Sequence, residues 1–317
     1  MKKSIFLFLL GLSMSTQAAN LVKVTPLGSK QGEFCKFDRA MIFEDPNGTR
    51  ILYDAGRTVM GADDPRLKNI DVILVSHMHG DHVGDKHIKS LNSGSCDKPD
   101  VSVKDTPQTN SVKIALAKNS VILTGSEMPR FFAAKLKAEG GNPKNSQLVR
   151  FGASKTIKGV EFTTVPAAHS NGISPAFISG PLSQHLQEAG VTAYAGPPTG
   201  YVITFSNGLV MYLSGDTGMT AEQELVVGDY YRAKLAVINI GDTYTTGPKQ
   251  AAHVINNMIR PKSVIPSHAN EAATQNGKII PGTRTELFSN EVNVDLHLPL
   301  SGRTMSFDDS GLCVSGC

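Results

Sequence analysis

The chain has 317 residues, with 31 Lys and Arg against 28 Asp and Glu, a formal charge of +3 and no Trp. That length can bury a substantial core. With no block of like charge and no low-complexity tract, it argues against a disordered chain and against a nucleic-acid or anionic-membrane partner.

In chain order, Lys2 and Lys3 precede the apolar stretch from Ile5 to Leu10, and small or polar residues follow as far as Ala18 and Ala19. This is the order of a secretory signal peptide over residues 1–19, with cleavage after Ala18 or Ala19 and an apolar part too short to span a bilayer. Removing Lys2 and Lys3 takes the formal charge from +3 to +1. The mature protein, residues 20–317, is therefore expected in the periplasm or outside the cell. No later apolar stretch is long enough to span a membrane.

Ala40 to Glu44 and Ile51 to Tyr53 flank Asp45-Pro46-Asn47-Gly48, a hairpin signal with Asn-Gly at the turn. Asp71 to Ser76 reads as a strand and Asp85 to Leu91 as a short helix. Longer helices are predicted over Asn110 to Lys118 and Met128 to Ala138, the second stopped by Gly140-Gly141. Strands follow at Val160 to Val165, Tyr201 to Phe205, Leu209 to Leu213, Leu235 to Ile240 and Ser263 to Ile265. A helix from Pro248 to Ile259 separates the last two, and Pro248 suits its first turn. No composition break marks a linker, so a single α/β domain with helices covering packed sheets is expected.

The four cysteines, Cys35, Cys96, Cys313 and Cys317, fit an oxidising compartment and two disulfides. Of the three pairings, Cys35 with Cys96 and Cys313 with Cys317 is favoured, because the latter pair is close in sequence and the former lie in loop-like segments.

The densest chemistry lies in His77-Met78-His79-Gly80-Asp81-His82, directly after the apolar run Val72 to Val75. Three imidazoles and a carboxylate so close would each need a separate partner to leave water, whereas a pair of divalent metals satisfies all four. Further polar residues end strand-like apolar runs in the same way. They are Asp54 after Ile51-Leu52-Tyr53, His169 after Thr163 to Ala168, Asp216 after Val210 to Gly215, and His268 after Val264 to Ser267. Such repetition is how one end of a sheet assembles a site from distant positions.

The run His-x-His-x-Asp-His, with a later His, a Gly-Asp and a Ser-His at these separations, resembles the metallo-β-lactamase superfamily over nearly the whole mature chain. The resemblance implies an αββα sandwich with a dinuclear metal site on one edge of the paired sheets. It assigns His77, His79 and His169 to one ion, Asp81, His82 and His268 to the other, and Asp216 between them. Asp81 and Asp216 are then the carboxylates at the catalytic centre, and Asp54 stands behind the ligands to orient an imidazole. Zinc suits this donor set, and manganese or iron would also be accepted. A metal-bridging hydroxide attacking a carbonyl carbon is the implied chemistry. True β-lactamases of the superfamily generally lack a carboxylate such as Asp216, so the chain looks like the lactonase, glyoxalase II and phosphodiesterase side. Ser214 to Gly218 and Asn239 to Pro248 are similar to the branch related to ascorbate-6-phosphate lactonase. Phosphodiester and β-lactam hydrolysis are the alternatives on the same site.

Between His169 and Tyr201, Ser170 to Gly200 holds several apolar residues and no Lys or Arg. Beginning at a ligand, this insertion at about 170–200 is expected to fold over the metals as an apolar lid. A small neutral ester or lactone is then the expected substrate, since a polyanion would require basic contacts. Thr243 and Tyr244, before Pro248, and His185, inside the insertion, are the candidate substrate contacts. His87, His253 and His297 match no ligand position and read as surface or satisfied core residues.

Overall fold

A computed structural model describes residues 20–317. The signal-peptide segment, residues 1–19, lies outside the described residues. Two sheets carry the fold. The first has eight strands in the order Cys313–Ser315, Met305–Phe307, Val22–Pro26, Met41–Glu44, Arg50–Tyr53, Val72–Leu74, Val121–Thr124 and Ser146–Leu148. The second has seven, in the order Asp295–Leu296, Ser263–Ser267, Leu235–Asn239, Val210–Leu213, Thr199–Thr204, Val160–Pro166 and Ser154–Ile157.

Strand periodicity separates the layers. Ile51, Tyr53, Val72 and Leu74 face a core shared with Tyr201, Leu213, Leu235 and Val237 of the other sheet. Their neighbours Leu52 and Ile73 point the opposite way, onto Val112, Ile114, Phe132 and Leu136 of the helices Asn110–Lys118 and Met128–Ala138. On the far side, Ala236, Ile238 and Val264 meet Val227, Ala251, Ile255 and Phe288. Strands apolar on both faces are what a sheet sandwiched between a second sheet and helices requires. The architecture is the expected αββα sandwich, and each fully buried Leu, Ile or Phe contributes roughly 1.5–3 kcal/mol.

Most expected elements are present, including the hairpin of Met41–Glu44 and Arg50–Tyr53. The helix at Pro248–His253 continues through a wider π-type turn over Val254–Ile259. The helix expected over Asp85 to Leu91 is absent. Its turn lies earlier, at Gly80–Val83, and Lys86–His87 pairs instead with Val103–Lys104. The displaced turn is closed by Gly84, whose left-handed backbone (φ +77°) receives the chain before a side chain could fit. Cys35 is bonded to Cys96 and Cys313 to Cys317, the favoured pairing. Cys35–Cys96 closes a span of 61 residues with Cα atoms 4.7 Å apart, a restraint worth roughly 2–4 kcal/mol. No helix among the described residues is long and apolar enough to cross a membrane.

One polar contact crosses the central core. The Tyr201 hydroxyl, on the second sheet, lies 2.7 Å from the Val75 carbonyl and 3.0 Å from that of Leu123, both on the first. Tyr201→Phe should cost about 1–2 kcal/mol in urea unfolding, because a buried carbonyl then loses its donor. An unchanged midpoint would show that the hydroxyl does not tie the sheets.

Candidate metal centre

The first sheet runs Arg50–Tyr53, Val72–Leu74 and Val121–Thr124 in parallel, and the second does the same with Val210–Leu213, Leu235–Asn239 and Ser263–Ser267. Their carboxyl ends open on one edge. Asp54, His77, Asp216 and His268 leave the sheets there, and His169 follows Val160–Pro166 to the same place. Ordered strands fix where each loop begins, and short loops then hold the side chains.

His77 and His79 lie on extended chain two residues apart, while the turn Gly80–Val83 presents Asp81 and His82. Three sets of donor atoms converge: His77, His79 and His169; Asp81, His82 and His268; and His77, His82 and Asp216. Asp216 is central. Its Oδ2 lies 3.1 Å from His268 Nε2, 3.3 Å from His82 Nε2, 3.7 Å from His169 Nε2 and 3.8 Å from His77 Nε2. Asp81 Oδ2 lies 3.5 Å from His268 Nε2 and 3.7 Å from His82 Nε2. The structure thus brings together all seven ligand-type residues expected from the sequence.

The donor set fits divalent cations on its own chemistry. His77 Nε2, His82 Nε2 and Asp216 Oδ1 are buried without a hydrogen-bond partner, an arrangement costly unless something else binds them. Burial holds His77, His79 and His169 below the ordinary imidazole range, so their ring nitrogens are free to ligate. At His82 burial also opposes charge, but Asp216, Asp54 and Asp81 outweigh it and carry the pKa up to about 10. Against their own burial, Arg39 and His82 hold the Asp81 carboxyl far down, and His268 and His82 do the same for Asp216. The carboxylates therefore require a positive partner, and metal ions would relieve the imidazolium of that role.

Asp54 stands where expected. It accepts from Ser76 N and Oγ at 2.8 Å and from His82 Nδ1 at 2.7 Å. Ser76 Oγ, donating to Asp54, takes His77 Nδ1 at 2.9 Å, so both rings aim Nε2 at the centre. Ser76 was not singled out in the sequence, although its place beside His77 is a signal. Arg39 was missed without any signal. Its Nη2 sits 2.7 Å from Asp81 Oδ2 and 3.1 Å from Asn270 Oδ1, and no motif distinguishes it. Asp54 and His268 have left-handed backbones (φ 44° and 50°), an expense of about 1–3 kcal/mol each that packing sustains. Gly56 is required for a different reason: a Cβ there would collide with the Asp81 carbonyl.

A cavity of about 610 Å³ opens over the centre, with Thr243 and Tyr244 on its wall as expected. Two expectations fail here. Of residues 170–200 only Ser170 reaches the cavity. Phe177 instead packs into the helix layer of the first sheet, 6.4 Å from the Phe131 ring, and the helix Pro181–Ala189 buries no residue. Beyond Ser170 the insertion does not line the cavity in this structure. His185 goes with it, its side chain 74% exposed beside Glu188 and outside the cavity lining. The wall is supplied by Lys36, Phe37, Arg39, Arg57, Asn270 and Arg284. An apolar pocket inferred from the insertion is therefore replaced by a basic one.

The sequence profile of the beta-lactamase superfamily domain matches residues 49–269, which include all seven candidate ligands. The chain belongs to the metallo-β-lactamase superfamily. It is 30% identical over 209 residues to a UPF0173 metal-dependent hydrolase of Cupriavidus taiwanensis, a match covering 64% of this chain and 60% of that one. Another, from Methanopyrus kandleri, is 28% identical over 224 residues, covering 70% and 77%. The fold is shared with Igni18, a metallo hydrolase of Ignicoccus hospitalis, at a TM-score of 0.60 and 20% identity over 91% of this chain and 99% of that one.

Asp54→Asn turns one of the two oxygens that accept from Ser76 and His82 into a donor and removes the charge. Metal affinity should fall about 10–100-fold, measured as metal per chain after dialysis against graded chelator. Retention equal to the parent protein would remove Asp54 from the metal centre's support.

Proposed function

We propose that this metal-dependent hydrolase works with two divalent ions, zinc being the best suited, and cleaves a carboxylic ester or lactone in a small molecule. The observation that carries it is the Asp216 carboxylate, placed among four imidazoles with Oδ1 lacking any hydrogen-bond partner. His77, His79 and His169 would hold one ion, Asp81, His82 and His268 the other, and Asp216 both. Such a pair supplies Lewis acidity and a water that ionises near neutral pH.

The chain's own groups do the rest. Arg39 tethers Asp81, and Asp54 with Ser76 fixes two rings, so little reorganisation is left for the reaction. Thr243 and Tyr244 stand on the cavity wall, where they can orient the acyl group.

Asp216→Ala should lower turnover of an aryl ester or acyl lactone by about 10²–10³-fold and reduce bound metal from two ions to one. A variant keeping both ions and its activity would overturn the role of Asp216. Metal-replete parent protein that turns over neither substrate class would overturn the reaction.

The same reading places the enzyme outside the cytoplasm, supported by the order of residues 1–19 and by the two disulfides. Intact-mass analysis of protein from a secreting host should give a chain beginning at Ala19 or Asn20. A chain retaining residues 1–18 would refute export.

A further inference from the structure

The cavity wall carries a surplus of cations and donors that neither the metals nor the scissile bond uses. Four basic side chains line it, Lys36, Arg39, Arg57 and Arg284, with three carboxylates, Asp81, Asp216 and Asp242. Asp81 and Asp216 belong to the metal centre, which leaves Asp242, and its Oδ1 already accepts from Thr243 N at 2.8 Å.

The four cations are not equivalent. Arg57 is forked onto Asp85 at 2.8 Å through both Nε and Nη2, and Arg39 is spent on Asp81. These two hold the wall together. Lys36 has its nearest carboxylate, the largely exposed Asp97, only at 4.0 Å. Arg284 reaches Glu271 with one nitrogen at 3.4 Å. Both retain donors for a further acceptor. Deeper in the wall, Arg39 Nε, Arg39 Nη1 and Asn270 Nδ2 are buried without partners. The accessible free donors, on Lys36 and Arg284, suit a ligand rich in acceptors.

The wall is also fixed in place. Lys36 follows Cys35, which is bonded to Cys96, and Asp38 accepts from Cys35 N at 2.7 Å and Ser29 N at 2.9 Å. Phe37 has the Arg57 guanidinium 5.4 Å and that of Arg39 6.0 Å from its ring centre. Lys36 is thus presented by a braced loop, which lowers the entropy lost when it engages a ligand.

We infer that this cavity selects small substrates bearing a carboxylate or phosphate group apart from the bond that is cut, held by Lys36 and Arg284. The inference rests on the proposed hydrolase reading and adds the substrate's charge to it. The neutral substrate expected from the sequence followed from the insertion at 170–200, which does not form the wall.

The test uses metal-loaded protein and three p-nitrophenyl esters of equal length, whose acyl chains end in a methyl, a carboxylate or a phosphate. At least one anionic ester should exceed the neutral one about tenfold in kcat/KM, mainly through KM, and the two anionic arms tell carboxylate from phosphate. In Lys36→Ala/Arg284→Gln that preference ratio should fall toward one. A neutral ester cut as well as both anionic ones, or a ratio unmoved in the variant, overturns the inference while leaving the hydrolase reading intact. If no ester is cut, ester cleavage fails as the proposed reaction, and a binding arm decides the inference separately. Inorganic phosphate, followed by calorimetry on metal-loaded protein, should bind about tenfold more weakly to the double variant, and equal binding overturns it.

Discussion

Burial of ionisable donors on one edge of the sandwich is the constraint around which this protein is organised. Asp216, His82, His77 and His268 are all nearly inaccessible, and Asp216 Oδ1, His82 Nε2 and His77 Nε2 have no hydrogen-bond partner. Without a cation, His82 must hold a proton far above its ordinary range to balance Asp54, Asp81 and Asp216. The fold therefore carries, in its apo form, an electrostatic demand that divalent ions meet.

That demand explains features distant from the ligands. Parallel strands in both sheets deliver their carboxyl ends to the same edge, and the shared core beneath them keeps the two edges together. Tyr201 spans that core immediately below the histidine loop through the Val75 carbonyl. Left-handed backbones at Asp54 and His268, and again at Asp242 and Thr243, cluster round the same opening. Strain gathered at one edge is sustained only where surrounding packing over-determines the chain.

Metal centre and cavity wall are built by different parts of the sequence. Ligands come from strand ends, whereas Lys36, Phe37 and Arg39 come from a loop before the first hairpin, braced by Cys35–Cys96. Such a division lets the reaction centre stay constant while the wall sets what enters. The disulfide is then more than a stabiliser of the unfolded-to-folded balance, because it braces the loop that brings Lys36, Phe37 and Arg39 to the cavity wall.

By itself the sequence determined the layered fold and singled out the seven His and Asp residues that the structure brings together. Period-two apolar strands ending in His or Asp are local patterns, and local patterns survive in one dimension. The support from Asp54 was legible for the same reason. Tertiary structure decided what could not be read locally. The turn at Gly80–Val83 displaced the helix expected at Asp85 because ligand geometry and Gly84 close the chain earlier. Lys36 and Arg39 lie 229 or more residues from His268 and from Arg284, and meet them at the cavity only through packing across the fold. The insertion after His169, adjacent to a ligand in sequence, turns away because Phe177 finds its apolar partners in the helix layer. Proximity along the chain identified the cluster of His and Asp donors but not the cavity wall, since a wall is defined by which surfaces meet across the fold.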